Sequence, residues 1–152
     1  MKTAFGLGVS LLITASAAIA GEQVSGVAFL LGPKHFSDGN AITIEQVSST
    51  SPNFAAGDKV TVRGRYTFTS EEKAELCLFL TTDGSVGPEP SSPDQITKVG
   101  KGSGTFELTK TLKHPGHLHL SFYGSGGKCL GNLYFGTEQQ MKDISHWDVR
   151  TY

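Results

Sequence analysis

Val60, Val62, Tyr66 and Phe68 alternate with Thr61, Arg63, Arg65, Thr67 and Thr69 along the stretch DKVTVRGRYTFTS. A two-residue period of β-branched and aromatic side chains marks a strand with one buried face, because successive side chains leave an extended backbone on opposite sides. Gly64 interrupts the apolar side, which predicts a bulge or a close backbone approach there. The polar SEEK at residues 70–73 reads as a turn. In AELCLFLTTDG, Leu76, Leu78 and Leu80 occupy one face while Cys77 and Phe79 occupy the other, as in a central strand covered on both sides.

The same alternation recurs downstream. Phe106, Leu108 and Leu112 oppose Thr105, Glu107, Thr109 and Thr111; Leu118, Leu120 and Phe122 oppose His117, His119, Ser121 and Tyr123. The GSGG at 124–127 then turns the chain into KCLGNLYFG, which predicts a hairpin. Upstream, VSGVAFLLG and AITIEQVSS supply two more strands around the turn-rich PKHFSDGN. Residues 85–104 are rich in Gly, Pro and Ser and read as a long loop with a short edge strand near Ile96. Loops of that length carry function disproportionately, which makes this one the candidate binding loop. Helix is expected only at EQQMKDI, where Thr137 and Gln140 fit a capping box, with Trp147 and Tyr152 packing the tail onto the strands. The expected fold is all-β: an antiparallel two-sheet β-sandwich of about 7–8 strands with a short C-terminal helix.

The first twenty residues read as a secretory signal peptide: Lys2, an apolar stretch diluted by Gly, Ser and Thr, then Ala18-Ile19-Ala20 before a cut. Residues 21–152 are then one β-sandwich domain, secreted to a periplasmic or extracellular space, with no membrane span. In such a compartment Cys77 and Cys129 are expected to form a disulfide. A formal net charge of −1, with scattered lysines and arginines, argues against a nucleic-acid partner, which would call for a basic stripe.

The run FAAGDKVTVRGRYTF resembles the early strands of immunoglobulin-like and fibronectin-like modules in secreted bacterial proteins. GSGTFELTKTL, followed by GHLHLSFYG and GNLYFG, is similar to exported bacterial β-sandwich domains. The likeness covers residues 54–136 and implies a sandwich with an accessory role, without specifying a ligand. No tryptophan separates Cys77 from Cys129, so the core pin of antibody-type domains has no counterpart here.

Two chemical readings follow from the residues. His117 and His119, two apart on a strand, leave one face about 7 Å apart and are the candidate ligands of a divalent transition metal such as zinc, with His114 as the third donor. Unless that metal is present, no cofactor is expected. No glutamate follows His119 at the spacing a cupin half-motif requires, and no nucleophile elbow is present, so no catalytic residue is assigned. The leading expectation is a non-catalytic binding module for a carbohydrate or cell-surface protein, with Arg63, Arg65 and Tyr123 as ligand-binding residues. The guanidiniums could clamp a carboxylate and the tyrosine could stack on a sugar ring. By the same alternation, His117 and His119 belong to a solvated strand face.

Overall fold

A computed structural model describes residues 24–151, so the leader assigned to residues 1–20, and Tyr152, lie outside the described residues. The alternating stretches form seven strands: β1 (Val24–Ser25), β2 (Leu30–Phe36), β3 (Ala41–Ser49), β4 (Lys59–Thr81), β5 (Ile96–Thr111), β6 (His117–Tyr123) and β7 (Cys129–Gly136). One short helix, α1 (Glu138–Asp143), follows. Every pairing is antiparallel, and the chain is mostly strand, as expected.

The ladder runs unbroken in the order β1-β3-β4-β6-β7-β2, with β5 on the remaining side of β4. In place of two separate sheets the strands therefore form one sheet, curled like half a barrel. The cause lies in β4, a strand of 23 residues in which SEEK does not break the chain. Its first half pairs with β3 and its second half with β6, while β5 follows it across the corner as far as Cys77. At the corner the register shifts between Phe68 and Lys73, opposite Gly102, whose φ of +118° favours glycine. The expected loop at 85–104 is accordingly corrected: from Ile96 onward it is strand, bent at this corner so that its two ends approach one another.

Curling encloses one core. Val60 and Val62 from the first half of β4, Leu76 and Leu78 from its second half, and Leu120 and Phe135 from β6 and β7 belong to a single cluster. The Phe122 ring lies 5.1 Å from that of Phe68 and 6.3 Å from that of Tyr66, joining the two halves. Gly64 makes the close approach its position predicts: a Cβ there would collide with the Thr43 carbonyl and the Phe106 ring. Asn40, buried in the turn between β2 and β3, donates to Leu130 O (3.0 Å) and Ser70 Oγ (2.8 Å) and accepts from Thr69 N (2.8 Å). It thereby ties that turn to the β4 corner.

At α1 the capping box is present: Thr137 Oγ1 accepts from Gln140 N at 3.2 Å, and Gln140 Oε1 accepts from Thr137 N at 2.9 Å. Replacing Thr137 by alanine is expected to cost about 1 kcal/mol in urea unfolding, an ordinary cap loss. An unchanged midpoint would show that tertiary packing alone holds the helix. Among the described residues no helix is long and apolar enough to cross a membrane.

Candidate functional site

On β6 the pleat places Leu118, Leu120 and Phe122 in the core and His117, His119, Ser121 and Tyr123 on the opposite face, as the alternation requires. That opposite face is not the solvated surface expected. His119 is only 8% exposed and Ser121 is buried. Neighbouring strands contribute Phe79, whose ring lies 6.2 Å from that of His119, and Tyr134, at 4.8 Å. The segment from α1 onward folds back over them, so that Tyr134, Met141, Ile144 and Val149 make a second apolar cluster with Trp147 packed on it. The Trp147 ring meets His117 at 5.2 Å. Periodicity decides which side chains share a face; what lies over that face is set by a segment twenty residues later.

Under this cover a line of polar groups runs along β6. His119 Nδ1 and Ser121 Oγ are 2.7 Å apart, and the Ser121 side chain also bonds the Tyr123 hydroxyl. Burial pushes the His119 imidazole down to about 4 and raises the Tyr123 phenol to about 12, so both are neutral at pH 7. Burial also lowers His117, against a smaller opposing effect of Asp143. Thr81, His119, Ser121, Tyr123, Asn132 and Tyr134 border a small cavity of about 120 Å3.

The structure does not assemble the metal set. His114 is engaged with another partner, its Nδ1 2.7 Å from Glu89 Oε2. Among the described residues, no group of three or more His, Cys, Asp or Glu side chains is placed to hold an ion.

Nor does it form the disulfide. Cys77 and Cys129 are both free thiols. Cys77 sits on β4 opposite Ser121, and Cys129 on β7 opposite Tyr123, so β6 runs between them. Two ladder spacings of about 4.8 Å exceed the Cα separation a disulfide spans, about 4.4–6.8 Å. Burial, with the Glu75 charge nearby, pushes the Cys77 thiol up to about 12, making it a reluctant nucleophile. The export argument thereby loses the support a disulfide would have lent it.

Arg63 and Arg65 are on the outer face of the β3–β4–β5 region. Arg63 Nε meets Glu107 Oε2 at 2.6 Å, and Arg65 Nε meets Glu45 Oε1 at 2.7 Å. Each guanidinium already has a carboxylate partner, and neither borders the same cleft as Tyr123.

Tyr123 stands where the polar line of β6 reaches the surface. It borders a cleft of about 690 Å3 at the β4 corner, together with Glu72, Lys73, Glu75, Lys98 and Val99. Its ring rests 5.7 Å from Phe79. The rim is built by the 124–127 turn, in which Gly126 and Gly127 have positive φ and Glu71 accepts from Ser125 N at 3.0 Å and Ser125 Oγ at 2.8 Å. Lys98 and Val99 come from the segment expected to bind ligand, although as strand residues.

A charged group in the interior escaped the sequence reading. Lys110 continues the inward row of Phe106 and Leu108, and its side chain is 2% exposed. Glu89, from the connection between β4 and β5, meets it at 3.7 Å and is itself 6% exposed. A lysine at an apolar position of a regular alternation was the available signal, because a buried ammonium requires a partner.

Comparison of the chain with protein-family models, with curated proteins and with solved structures found no match to any of them.

Proposed function

We propose that this chain is a non-catalytic binding module whose ligand seat is the Tyr123 cleft, and that the ligand is a hydroxyl-rich ring such as a sugar residue of a glycan. The observation that carries the reading is the pairing of a half-exposed tyrosine with two carboxylates and two ammonium groups around one cleft of about 690 Å3. Ligand pockets have volumes of about 300–1,000 Å3 and combine an apolar platform with a few converging polar groups. A tyrosine ring offers such a platform to the C–H face of a sugar, while Glu72, Glu75, Lys73 and Lys98 can exchange hydrogen bonds with its hydroxyls. The balanced charges favour a neutral ligand over a polyanion. Because the Tyr123 ring already packs against Phe79, at 5.7 Å and a 49° tilt, part of its freedom is removed before a ligand arrives.

The test is an array of neutral and acidic glycans followed by calorimetry on whatever binds. Tyr123→Ala is expected to weaken binding about tenfold or more, the loss of roughly 1.4 kcal/mol of stacking. Arg63→Ala, outside the cleft, is expected to bind like the parent. A blank array, or equal binding by the Tyr123 variant, would refute the assignment.

A further inference from the structure

The open side of β5 is unlike the other sheet borders. β5 pairs with β4 alone, and among the described residues no backbone hydrogen bond outside that ladder reaches Thr97–Thr111. Exposed strand edges are ordinarily kept short, or broken by proline or a bulge, because their free N–H and C=O groups invite a further strand. β1 has two residues, and β2 carries Pro33 and a register shift. β5 has 16 residues and no proline. Its corner is made of Gly100, Gly102 and Gly104, and a Cβ built on Gly102 would meet nothing within 4 Å, so the backbone there is bare.

Lysines can also blunt an edge, but those of β5 are mostly engaged within the chain. Lys101 Nζ lies 3.9 Å from Glu72 Oε1, and Lys110 is turned inward onto Pro90 O and Gln95 Oε1. Lys98 remains, exposed and without an ion-pair partner among the described residues.

We infer that this border is the interface of a homodimer, in which the β5 strands of two copies pair antiparallel about a two-fold axis at the corner, Lys98 of each copy opposite Glu107 of the other. Such an axis sets the first half of one β5 against the second half of its mate, and both strands bend the same way about it. The alternation changes phase at the corner: Val99 faces the core before it, Phe106 and Leu108 after it, while Lys98 and Glu107 are exposed. Core side therefore meets core side only when odd-numbered positions of one copy oppose even-numbered positions of the other. Lys98 against Glu107 satisfies this, and it also places Val99 opposite Phe106 and Thr97 opposite Leu108. Glu107 is the one acidic residue of β5, which selects this register among those of the right phase.

The register also completes a row of charges. Within one copy Arg63 lies opposite Glu107 on one arm, and Lys98 opposite Glu75 on the other. Across the two-fold the outer face would read Arg63, Glu107, then Lys98 and Glu75 of the second copy, alternating in sign at every strand. Unlike charges directly opposite one another stabilise a sheet and like charges destabilise it.

Sedimentation of the purified full chain over a range of concentrations is expected to give twice the chain mass, and hydrogen exchange is expected to show β5 amides protected in the dimer and released on dilution. Lys98→Glu sets two pairs of carboxylates face to face and is expected to raise the dissociation constant about tenfold or more. Glu107→Lys is expected to do the same with ammonium groups. Mixing the two variants restores both contacts, so the mixture is expected to form a heterodimer that neither forms with itself. A monomer at all concentrations, a dimer whose β5 amides exchange freely, a Lys98 variant that associates like the parent, or a mixture no tighter than its components would each overturn the inference. The mass and exchange of the parent decide it even if Glu107→Lys, beside Arg63, fails to fold.

Discussion

Phe122→Ala is expected to lower the free energy of unfolding by about 3–5 kcal/mol, the usual cost of removing a large aromatic side chain from a core. Phe122 has no exposed surface and meets Phe68 from the first half of β4 as well as Tyr66. Its truncation would therefore open a void between the two arms of the curled sheet, where neither arm can collapse without dragging its ladder partners. Domains of this size have about 5–15 kcal/mol of stability in all, so the loss is a large share of the whole. Urea unfolding of the parent and of Phe122→Leu, which refills most of the volume, provides the scale. A loss below about 1 kcal/mol would mean that the arms are not packed through this ring.

Acid is expected to destabilise the protein through His119. Its folded pKa is near 4 because burial penalises the imidazolium, against an ordinary value of 6.5. The unfolded chain thus takes up a proton below pH 6.5 that the folded chain refuses. The contribution is fully present above pH 6.5 and is lost as the pH falls to about 4. Integrated over that interval it amounts to about 3 kcal/mol. His117, lowered in the same direction, adds to the loss with the same sign. In His119→Phe the decline between pH 7 and pH 4 is expected to shrink by about that amount. Equal slopes for parent and variant in denaturant titrations across this range would refute the assignment.

How much of this was legible beforehand can be judged residue by residue. The strands carrying Val60 to Phe68 and Leu118 to Phe122 were readable because a two-residue period is a local property of the backbone, and the Thr137–Gln140 cap is equally local. The curl was not readable, since it depends on β4 exchanging β3 for β6 at its corner, a pairing between distant segments. The cover over His119 was legible only in part: Trp147 packs the tail onto the strands as expected, but that it docks over the His119 face, together with Met141 and Val149, depends on contacts between distant segments. The disulfide failed on a lateral distance across β6 that no residue count reveals. Lys110 was different, a visible irregularity inside a regular row that the alternation passed over. Of the candidate ligand residues, Tyr123 alone stands in the large cleft, while Arg63 and Arg65 are engaged elsewhere.

Because β4 gives its first half to one arm and its second half to the other, with β5 zipped along both, the chain has no seam. Detaching either arm strips hydrogen bonds from a strand that the remaining arm still needs, so partial opening gains little entropy before the whole ladder is forfeited. Among the described strands β1, β2 and β5 each pair on one side only, so the backbone groups open to association between molecules lie along those three borders.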